Sequence, residues 1–476
     1  MADLRPSTKL QAGLNIIRTI FVCAILSVAS LMFSKDANTL VIEPIERMTA
    51  KIKRISQNPL EAAIEDEVNT VAMEKMHNQS AKKDKNKGEM ETEVLENVIM
   101  KIGALLALGF GEAGTEIITA NIKRGSGDID PMVPGKKTFC IFGFCDIRGF
   151  AEVTEVLQEG VMLFVNEIAE IVHNTVFRFA GSANKNIGDA FLLVWKLPKS
   201  LDHHFKAANL QPIPHILHQY ADMALVGFLK VLAAVNSDSR VLKYRLSPEL
   251  AQKLPGFAVK MGFGLHVGWA IEGAIGSEFK VDASYLSPNV NMASRLEAAT
   301  RQFGVPLLIS GELHDLLSVQ IQLIMREVDC VMVKGSKVPT RLFTCDVSIN
   351  SIPPLSAEES LAGLSASEAK VELRRQRDYL LKAAVSKQRE VWRLFDTDPQ
   401  LVAMRSSVSL RFVDLHRQAY GAYTKGDWTQ AKQLMQDAMD VKGELDGPSR
   451  ALMGFMEEHG FRAPADWAGF RALTEK

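Results

Sequence analysis

The sequence predicts a mixed α/β or α+β domain in the middle of the chain, flanked by helical segments on both sides. Between residues 136 and 346, short runs of β-branched and aromatic residues alternate with stretches of helical spacing. Two apolar stretches and a polar linker precede this region, and beyond residue 356 the chain becomes helical and charged. These observations divide the chain into four segments: 1–38, 39–135, 136–348 and 349–476.

The composition of the 476 residues is that of an ordinary globular chain, since 47% are hydrophobic and a large core can form. The 55 basic and 56 acidic residues nearly cancel, so the overall charge excludes a general attraction to nucleic acid. Any anion must therefore bind at a local site. No C-x-x-C pair or His-rich neighbour accompanies the cysteines, which is typical of reduced thiols in a cytosolic body: Cys23, Cys140, Cys145, Cys330 and Cys345.

The stretch 13–33 is apolar apart from Asn15, Arg18 and small hydroxyl residues, and it is long enough to span a bilayer. Arg18 near its start and the indistinct cleavage site argue against a signal peptide. We expect a membrane span with Arg18 reaching the interface, and a buried or interfacial helix is the alternative. Because almost nothing precedes it, this span is interpreted as the last one of a longer receptor or channel.

The segment 39–135 is predicted to carry signalling helices. In 40–60, apolar residues recur at helical spacing behind Pro44, which resembles the first helix of a HAMP-type segment; a plain juxtamembrane helix explains the pattern equally. Residues 73–93 are polar and charged, as in a solvated linker. The apolar stretch 94–118 is predicted to be a helix that leads into the next domain and pairs two copies of it.

Two acidic residues stand where strands of the central region end. "FCIFGFCDIRGF" (139–150) has the pattern of a buried strand that finishes on Asp146, and "GSANKNIGDAFLLVW" (181–195) that of a hairpin whose turn holds Asp189. Taken alone, an Asp at such a position is typical of a turn. Two carboxylates at the ends of neighbouring strands can also bind Mg²⁺, which completes its coordination with water and phosphate oxygens.

A predicted helix carries a polar face with an arginine. "YLSPNVNMASRLEAAT" (285–300) begins at Ser287-Pro288, and Asn291 and Arg295 stand four residues apart on one face. An arginine there can stabilise the charge on a reacting phosphoryl group, although a solvated helix face explains the same pattern.

A basic turn follows a predicted strand near the end of the central region. In "VMVKGSKVPTRLF" (331–343), Lys334 and Lys337 flank Gly335. A lysine beside a glycine can approach a phosphate closely, and a basic hairpin turn explains the same residues. The sequence alone leaves these two interpretations open.

Taken in order, F-x-D-I-x-G-F, K-x-I-G-D-A, V-N-x-A-x-R-L-E and V-K-G resemble the catalytic domain of the class III nucleotidyl cyclases. The resemblance covers about 136–346. It implies an α+β fold, a ferredoxin-like βαββαβ core in an α/β sandwich, and a homodimer with active sites across its interface. It also implies two Mg²⁺ per site, with Mn²⁺ as a substitute. The expected reaction is attack of the ribose 3′-hydroxyl of ATP on the α-phosphorus, which forms 3′,5′-cyclic AMP and expels pyrophosphate.

The resemblance also implies roles for individual residues. The expected metal ligands are Asp146, Ile147 and Asp189. The expected substrate contacts are Lys185, Ser284, Asn291, Gly149 and Phe150. The residues expected to act on the reacting groups are Asn291, Arg295 and Lys334, with Lys337 as the neighbouring candidate. In a homodimer, the aspartates of one chain would meet Lys185, Asn291 and Arg295 of the other.

The base preference depends on two positions. Lys185 matches the lysine of adenylyl cyclases, where guanylyl cyclases usually carry glutamate. Ser284, seven residues before Asn291, takes the place of the family's usual Asp or Thr, and its hydroxyl can both accept and donate. These two positions favour adenine as the bound base and leave open whether guanine is also accepted. The expected protein is thus a membrane-attached adenylate cyclase with a cytosolic catalytic domain; the alternatives are a guanylate cyclase, a catalytically silent cyclase-like relay module and a helical interaction protein.

The segment 349–476 is predicted to be a helical extension. Residues 423–476 show a helix, a Gly-Pro turn and a helix, like a single tetratricopeptide-type hairpin without a visible repeat. This part resembles the C-terminal extension of some membrane-attached cyclases. Its large aromatic residues are expected to be core anchors rather than a ligand cage: Trp428, Trp467 and Phe470.

Overall fold

The protein is described by a computed structural model that covers residues 5–57, isolated positions between 94 and 114, and most of residues 134–473. The gaps in this last range are 202–212, 278–279, 334–337, 351, 356–360 and 362. The chain divides into two compact units, one of residues 1–109 with 118–127 and one of residues 110–117 with 128–476.

The first unit contains two consecutive helices. Helix α1 (Arg5–Ala37) continues through a π-helical stretch (Asn38–Ile42) into α2 (Glu43–Gln57). Large apolar side chains between Leu14 and Phe33 are exposed. By length and composition this helix could cross a membrane, a test that the buried core helix of a soluble protein also passes. The predicted helix at 13–33 is confirmed, and the one at 40–60 is confirmed as far as Gln57, beyond which the residues lie outside the described part of the chain.

Between 94 and 114 the described positions are helical, as predicted for 94–118. The predicted linker 73–93 lies outside the described residues.

A single sheet joins the described strands of the second unit. They are β1 (Lys136–Ile147), β2 (Ser182–Ile187), β3 (Ala190–Lys196), β4 (Met261–Ser277), β5 (Lys280–Leu286), β6 (Leu307–Ser310), β7 (Met325–Met332), β8 (Thr340–Cys345) and β9 (Arg471–Ala472). Their order is β2-β3-β1-β4-β6-β8-β7-β9, and β5 pairs with β4. The pairs β4–β6 and β7–β9 are parallel, whereas the others are antiparallel. The order β2-β3-β1-β4 confirms the predicted ferredoxin-like core.

The described helices of the second unit pack on the two faces of the sheet or on other helices. They are α3 (Phe150–Leu157), α4 (Val161–Arg178), α5 (His215–Ser237), α6 (Ser239–Leu242), α7 (Pro248–Lys253), α8 (Pro288–Phe303), α9 (Gly311–His314), α10 (Val319–Gln322), α11 (Ala366–Val385), α12 (Leu394–Thr397), α13 (Pro399–Arg405), α14 (Leu410–Lys425), α15 (Trp428–Lys442) and α16 (Gly447–Glu458).

Strand β1 is buried on both faces, which explains its nearly continuous apolar sequence. Ile141 packs in the core that α4 and α5 form on one face. Phe142 packs on the other face with Val290 and Ala293 of α8. Rigid packing on both sides therefore fixes where this strand ends.

Helix α8 begins and lies where the sequence predicts. Ser287 is its N-cap and accepts a hydrogen bond from the Asn289 backbone N–H at 3.1 Å, with Pro288 in the first turn. Its backbone lies directly on β4, because a Cβ at Gly264 would collide with the Ala293 carbonyl and the Glu297 N–H. The missing side chain at Gly264 thus sets the height of α8 above the sheet.

The C-terminal segment belongs to the same compact unit as the sheet. Helix α11 packs against α4 and α5, α14 against β7, and α16 against α8. The predicted aromatic anchors Trp428 and Trp467 are confirmed: Trp428 is 1% exposed, and its ring centroid lies 5.1 Å from that of Trp467. Phe470 is partly buried. Instead of standing apart as a helical hairpin, this segment also contributes β9 to the sheet.

Candidate active site

The two aspartates predicted from strand ends lie side by side. Asp146 is the penultimate residue of β1, and its register partner on β3 is Ala190, the residue after Asp189. The Ile147 backbone N–H donates to the Asp189 carbonyl at 3.2 Å. Gly188 has a φ of 66°, a left-handed conformation that lets the hairpin turn tightly before Asp189. The hairpin and the strand end therefore form one acidic edge of the sheet.

The Asp146 carboxylate is half-buried and only partly satisfied. Its Oδ2 lies 3.1 Å from Nη2 of Arg301, whereas its Oδ1 is buried and has no hydrogen-bond partner among the described residues. Burial, followed by the charge of Asp189, raises the pKa of Asp146 above its ordinary value, and Arg301 and Arg148 oppose that rise. A divalent cation would neutralise the charge of the two carboxylates and would be bound by Oδ1 of Asp146.

The oxygen ligands available here suit Mg²⁺, which keeps water and phosphate ligands, better than a metal that is coordinated by protein side chains alone. Among the described residues, no group of three His, Cys, Asp or Glu side chains is placed to hold a metal ion. Two carboxylates and the Ile147 backbone carbonyl leave several coordination positions to water and phosphate oxygens, which is the arrangement that Mg²⁺ uses in nucleotide sites. The predicted metal ligands are therefore chemically suited to a metal–triphosphate.

The chain turns sharply after β1. Gly149 has a φ of 66° and is the N-cap of α3, which begins at Phe150. The side chain of Phe150 packs against the main core, so the start of α3 is anchored beside the aspartates. Any residue with a side chain at this position would strain the left-handed turn.

Arg148, for which the sequence predicts no role, forms an ion pair that joins β1 to α8. Its Nη2 lies 2.8 Å from Oε1 of Glu297 and donates to the Thr300 hydroxyl. Burial, the largest effect, raises the pKa of Glu297 to about 7, although Arg148 lowers it and Asp146 raises it further. Arg301 and Arg148 thus tie α8 to the end of β1.

Asn291 and Arg295 lie on α8 as predicted. Asn291 is exposed and Arg295 is half-buried, whereas Val290, Ala293 and Leu296 are buried against the sheet. The polar face of the helix therefore points away from its own core, as the sequence indicates. Lys334 and Lys337 lie outside the described residues.

Lys185 has an acidic partner that the sequence did not reveal. Its Nζ lies 3.8 Å from Oδ2 of Asp282, which belongs to β5. Ser284, the predicted second base contact, is two residues further along the same strand and is buried. Because side chains alternate along a strand, Asp282 and Ser284 project from the same face of β5. Their shared face could have been noticed in the sequence, but the approach of β5 to the Lys185 strand could not.

A ferredoxin-like core that carries two adjacent carboxylates at the end of its central strand is the arrangement of class III nucleotidyl cyclases. Residues 133–345 match the family model described as the adenylate and guanylate cyclase catalytic domain, so the chain contains a catalytic domain of this family. Residues 4–123 match the model described as the RasGEFs all-helical domain.

Several curated proteins are similar to the central part of the chain. An adenylate cyclase of Anabaena cylindrica is 26% identical over 196 residues, which cover 40% of this chain and 34% of the relative. Adenylate cyclase 1 of Rhizobium meliloti is 25% identical over 169 residues, 35% of this chain and 22% of the relative. The chain thus spans only about a third or less of the length of these relatives.

Solved structures with partial likeness include a bacterial light-regulated adenylyl cyclase. It has a TM-score of 0.39 and 20% identity, over 62% of this chain and 72% of that one. The adenylyl cyclase CyaB from P. aeruginosa has a TM-score of 0.34 and 21% identity, over 44% of this chain and 95% of that one.

Proposed function

We propose that the protein is an adenylate cyclase that converts ATP to 3′,5′-cyclic AMP and pyrophosphate at sites shared between two copies of the chain. The observation that carries the proposal is the Oδ1 atom of Asp146, which is buried beside Asp189 and has no hydrogen-bond partner in the described part of the chain. Two carboxylates in this setting are destabilised without a cation, so the edge is built for a metal-bound polyanion.

Asp146 and Asp189 would hold two divalent cations, Mg²⁺ or Mn²⁺, with the Ile147 carbonyl as a further oxygen ligand. When bound, such cations neutralise the triphosphate and acidify the ribose 3′-hydroxyl. The first backbone N–H groups of α3, which follow Gly149, can donate to phosphate oxygens. Arg295 would stabilise the charge that develops on the α-phosphoryl group, and Asn291 would orient the ribose.

Lys185 and Asp282 together support adenine as the base. The ammonium of Lys185 can donate hydrogen bonds to a base, and the carboxylate of Asp282, 3.8 Å away, can accept them from a base. Adenine presents an acceptor nitrogen beside its 6-amino donor, so the pair is complementary to this edge. Asp282 thereby offers the acceptor that Ser284 supplies only in part.

The base preference is tested by Lys185→Glu. We expect the ratio of kcat/KM for ATP to that for GTP to fall at least about 10-fold, because a donor becomes an acceptor. Lys280→Glu is the matched control: Lys280 also lies 3.8 Å from Asp282, but its side chain is 80% exposed. An equal change in both variants would show that overall charge, and not base recognition, sets the ratio.

The activity itself is tested with the full chain, ATP or GTP, and Mg²⁺ or Mn²⁺. Cyclic AMP as the main product supports the proposal, and cyclic GMP as the main product would replace it by a guanylate cyclase. Asp146→Ala should abolish either product. No cyclic nucleotide under any of these conditions would favour a catalytically silent relay module or a helical interaction protein.

Membrane attachment through α1, with the catalytic domain in the cytosol where ATP is found, belongs to the same proposal. The exposed apolar side chains from Leu14 to Phe33 support it. Separation of the full chain and of a chain lacking residues 1–38 into membrane and soluble fractions tests it. We expect only the full chain to sediment with membranes and to resist extraction by high salt.

A further inference from the structure

The C-terminal segment contacts the part of the catalytic domain that carries α8. Strand β9 extends the sheet beside β7, and the Leu473 backbone N–H donates to the Met332 carbonyl at 3.0 Å. Helix α16 packs against both α8 and β7. The segment is therefore attached to one side of the sheet by backbone pairing and to α8 by helix packing.

A buried ion pair anchors β9. Nε of Arg471 lies 2.7 Å from Oδ2 of Asp329, a β7 side chain that is 0% exposed. The Arg471 guanidinium also lies 5.8 Å from the ring centroid of Phe303, the last residue of α8. Removal of Arg471 would leave a buried carboxylate without its cation and would take away a cover of the end of α8.

A glycine sets the contact between α16 and α8. A Cβ on Gly447, the first residue of α16, would collide with the Phe303 carbonyl and with Gly304, which ends α8. Ala451 of α16 and Leu473 complete the apolar cluster that contains Leu296 and Phe303 of α8. The inner face of α8 is thus partly covered by residues far along the chain.

We propose that the C-terminal segment is a positioning element for the half of the active site that lies on α8, with Arg471 and Gly447 as positioning residues. This inference rests on the proposed function, in which Asn291 and Arg295 of one chain complete the site whose aspartates belong to the other. A shift of α8 would misplace both side chains.

The half of the site that carries the aspartates is held mainly by the sheet, although Arg301 and Arg148 also link α8 to the end of β1. Strand β1 lies inside the sheet, held by β3 on one side and β4 on the other. The pairs β6–β8 and β8–β7 separate β4 from the edge to which β9 is added. Variants of the C-terminal segment should therefore impair the half-site on α8 more strongly than the half-site that carries the aspartates.

Mixed dimers of full-length chains separate the two halves. One chain carries Asp146→Asn and the other Arg295→Ala, with different affinity tags, so that a single intact site forms. Its aspartates come from the Arg295→Ala chain and its α8 from the Asp146→Asn chain. Arg471→Ala is then added to either chain in turn.

We expect Arg471→Ala to lower kcat at least 5-fold when it lies on the Asp146→Asn chain and less than 2-fold when it lies on the Arg295→Ala chain. The Mn²⁺ concentration for half-maximal activity should stay the same in both arrangements, because the metal ligands are untouched. Gly447→Ala should give the same asymmetry without removing a charge. Arg417→Ala, on an exposed face of α14, is the control and should be silent in both chains.

Equal losses in the two arrangements, or no loss in either, would overturn the positioning role. A mixed dimer with an unaltered C-terminal segment that makes no cyclic nucleotide, although the wild-type dimer does, would overturn the shared site and the inference with it. The two failures are distinguished by the activity of the mixed dimer before Arg471 is changed.

Discussion

At the scale of single residues, Asp146 stands out because the folded protein holds it in a condition that a carboxylate does not favour. Its Oδ1 is buried without a hydrogen-bond partner among the described residues, and Asp189 adds a like charge nearby. Both effects stabilise the protonated form, so the ionised group lowers the stability of the metal-free protein. In the proposed metal site, bound cations would reverse this balance.

For Asp146→Asn we therefore expect opposite effects on stability and activity. Without metal at neutral pH, the melting temperature should be equal to or above that of the wild type, because one of two like charges is removed. The rise in melting temperature that Mn²⁺ gives the wild type should be largely lost, and cyclase activity should fall at least about 100-fold. A variant that still gains the full stabilisation from Mn²⁺ would show that Asp146 is not a ligand.

Asp222 makes the stability depend on pH at a place remote from the aspartate pair. Its Oδ1 accepts from the Ser318 backbone N–H at 2.9 Å, and burial raises its pKa to about 7 against the opposing effect of that hydrogen bond. Because the pKa of Asp222 is raised in the folded state, its contribution to the free energy of unfolding is fully present below about pH 4, where an unfolded Asp is also protonated. That contribution is lost as the pH rises through 7.

Asp222→Asn should remove this dependence while keeping the carbonyl that accepts from Ser318. As the pH rises from 5 to 8, we expect the free energy of unfolding of the variant to increase relative to that of the wild type by roughly 3 kcal/mol. Urea unfolding of both proteins across this range measures the difference. Parallel curves would mean that Asp222 stays ionised throughout.

At the scale of elements, the position of α8 depends on the close approach of its backbone to β4. Gly264→Ala would place a methyl group against the Ala293 carbonyl and the Glu297 N–H. We expect a loss of about 2 kcal/mol or more in the free energy of unfolding. Gly421→Ala, inside α14 with no atom near its Cβ, should be neutral or slightly stabilising. Urea denaturation compares the two, and an equal effect would disprove the steric reason.

The sequence could predict the features that depend on a local pattern of residues. The end of β1, the hairpin turn at Asp189 and the start of α8 depend on alternation, turn residues and an N-cap within a few positions. The partners Arg148–Glu297, Arg301–Asp146 and Lys185–Asp282 depend on which distant elements meet, and no pattern in one sequence encodes that. Strand β9 has two residues, too few for a strand pattern.

At the scale of the whole molecule, the catalytic sheet and the C-terminal segment share buried charges. Lys230 of α5 pairs with Asp398 at 2.7 Å, and Arg326 of β7 pairs with Asp446 at 3.0 Å. Arg471 and Asp329 form a third pair. In each pair one partner is supplied by the sheet or its covering helix and the other by residues beyond 349.

A chain that ends at residue 348 should consequently not fold. Lys230 would lose Asp398, Asp329 would lose Arg471, and Arg326 would keep only Asp346. Removing one partner of a buried ion pair costs about 3–5 kcal/mol, so these losses together are comparable to the total stability of about 5–15 kcal/mol of a typical domain. We expect the truncated chain to be insoluble or to lack a cooperative thermal transition by circular dichroism, whereas the full chain shows one. A soluble, cooperatively melting fragment would show that the catalytic sheet is autonomous.

The late position of β9 also has a consequence during protein synthesis. Until residues 471–472 leave the ribosome, the edge of β7 that β9 occupies is unpaired, and Asp329 has not met Arg471. Such an edge can pair with a neighbouring nascent chain. Aggregation during synthesis is therefore expected to compete with folding until β9 has paired with β7.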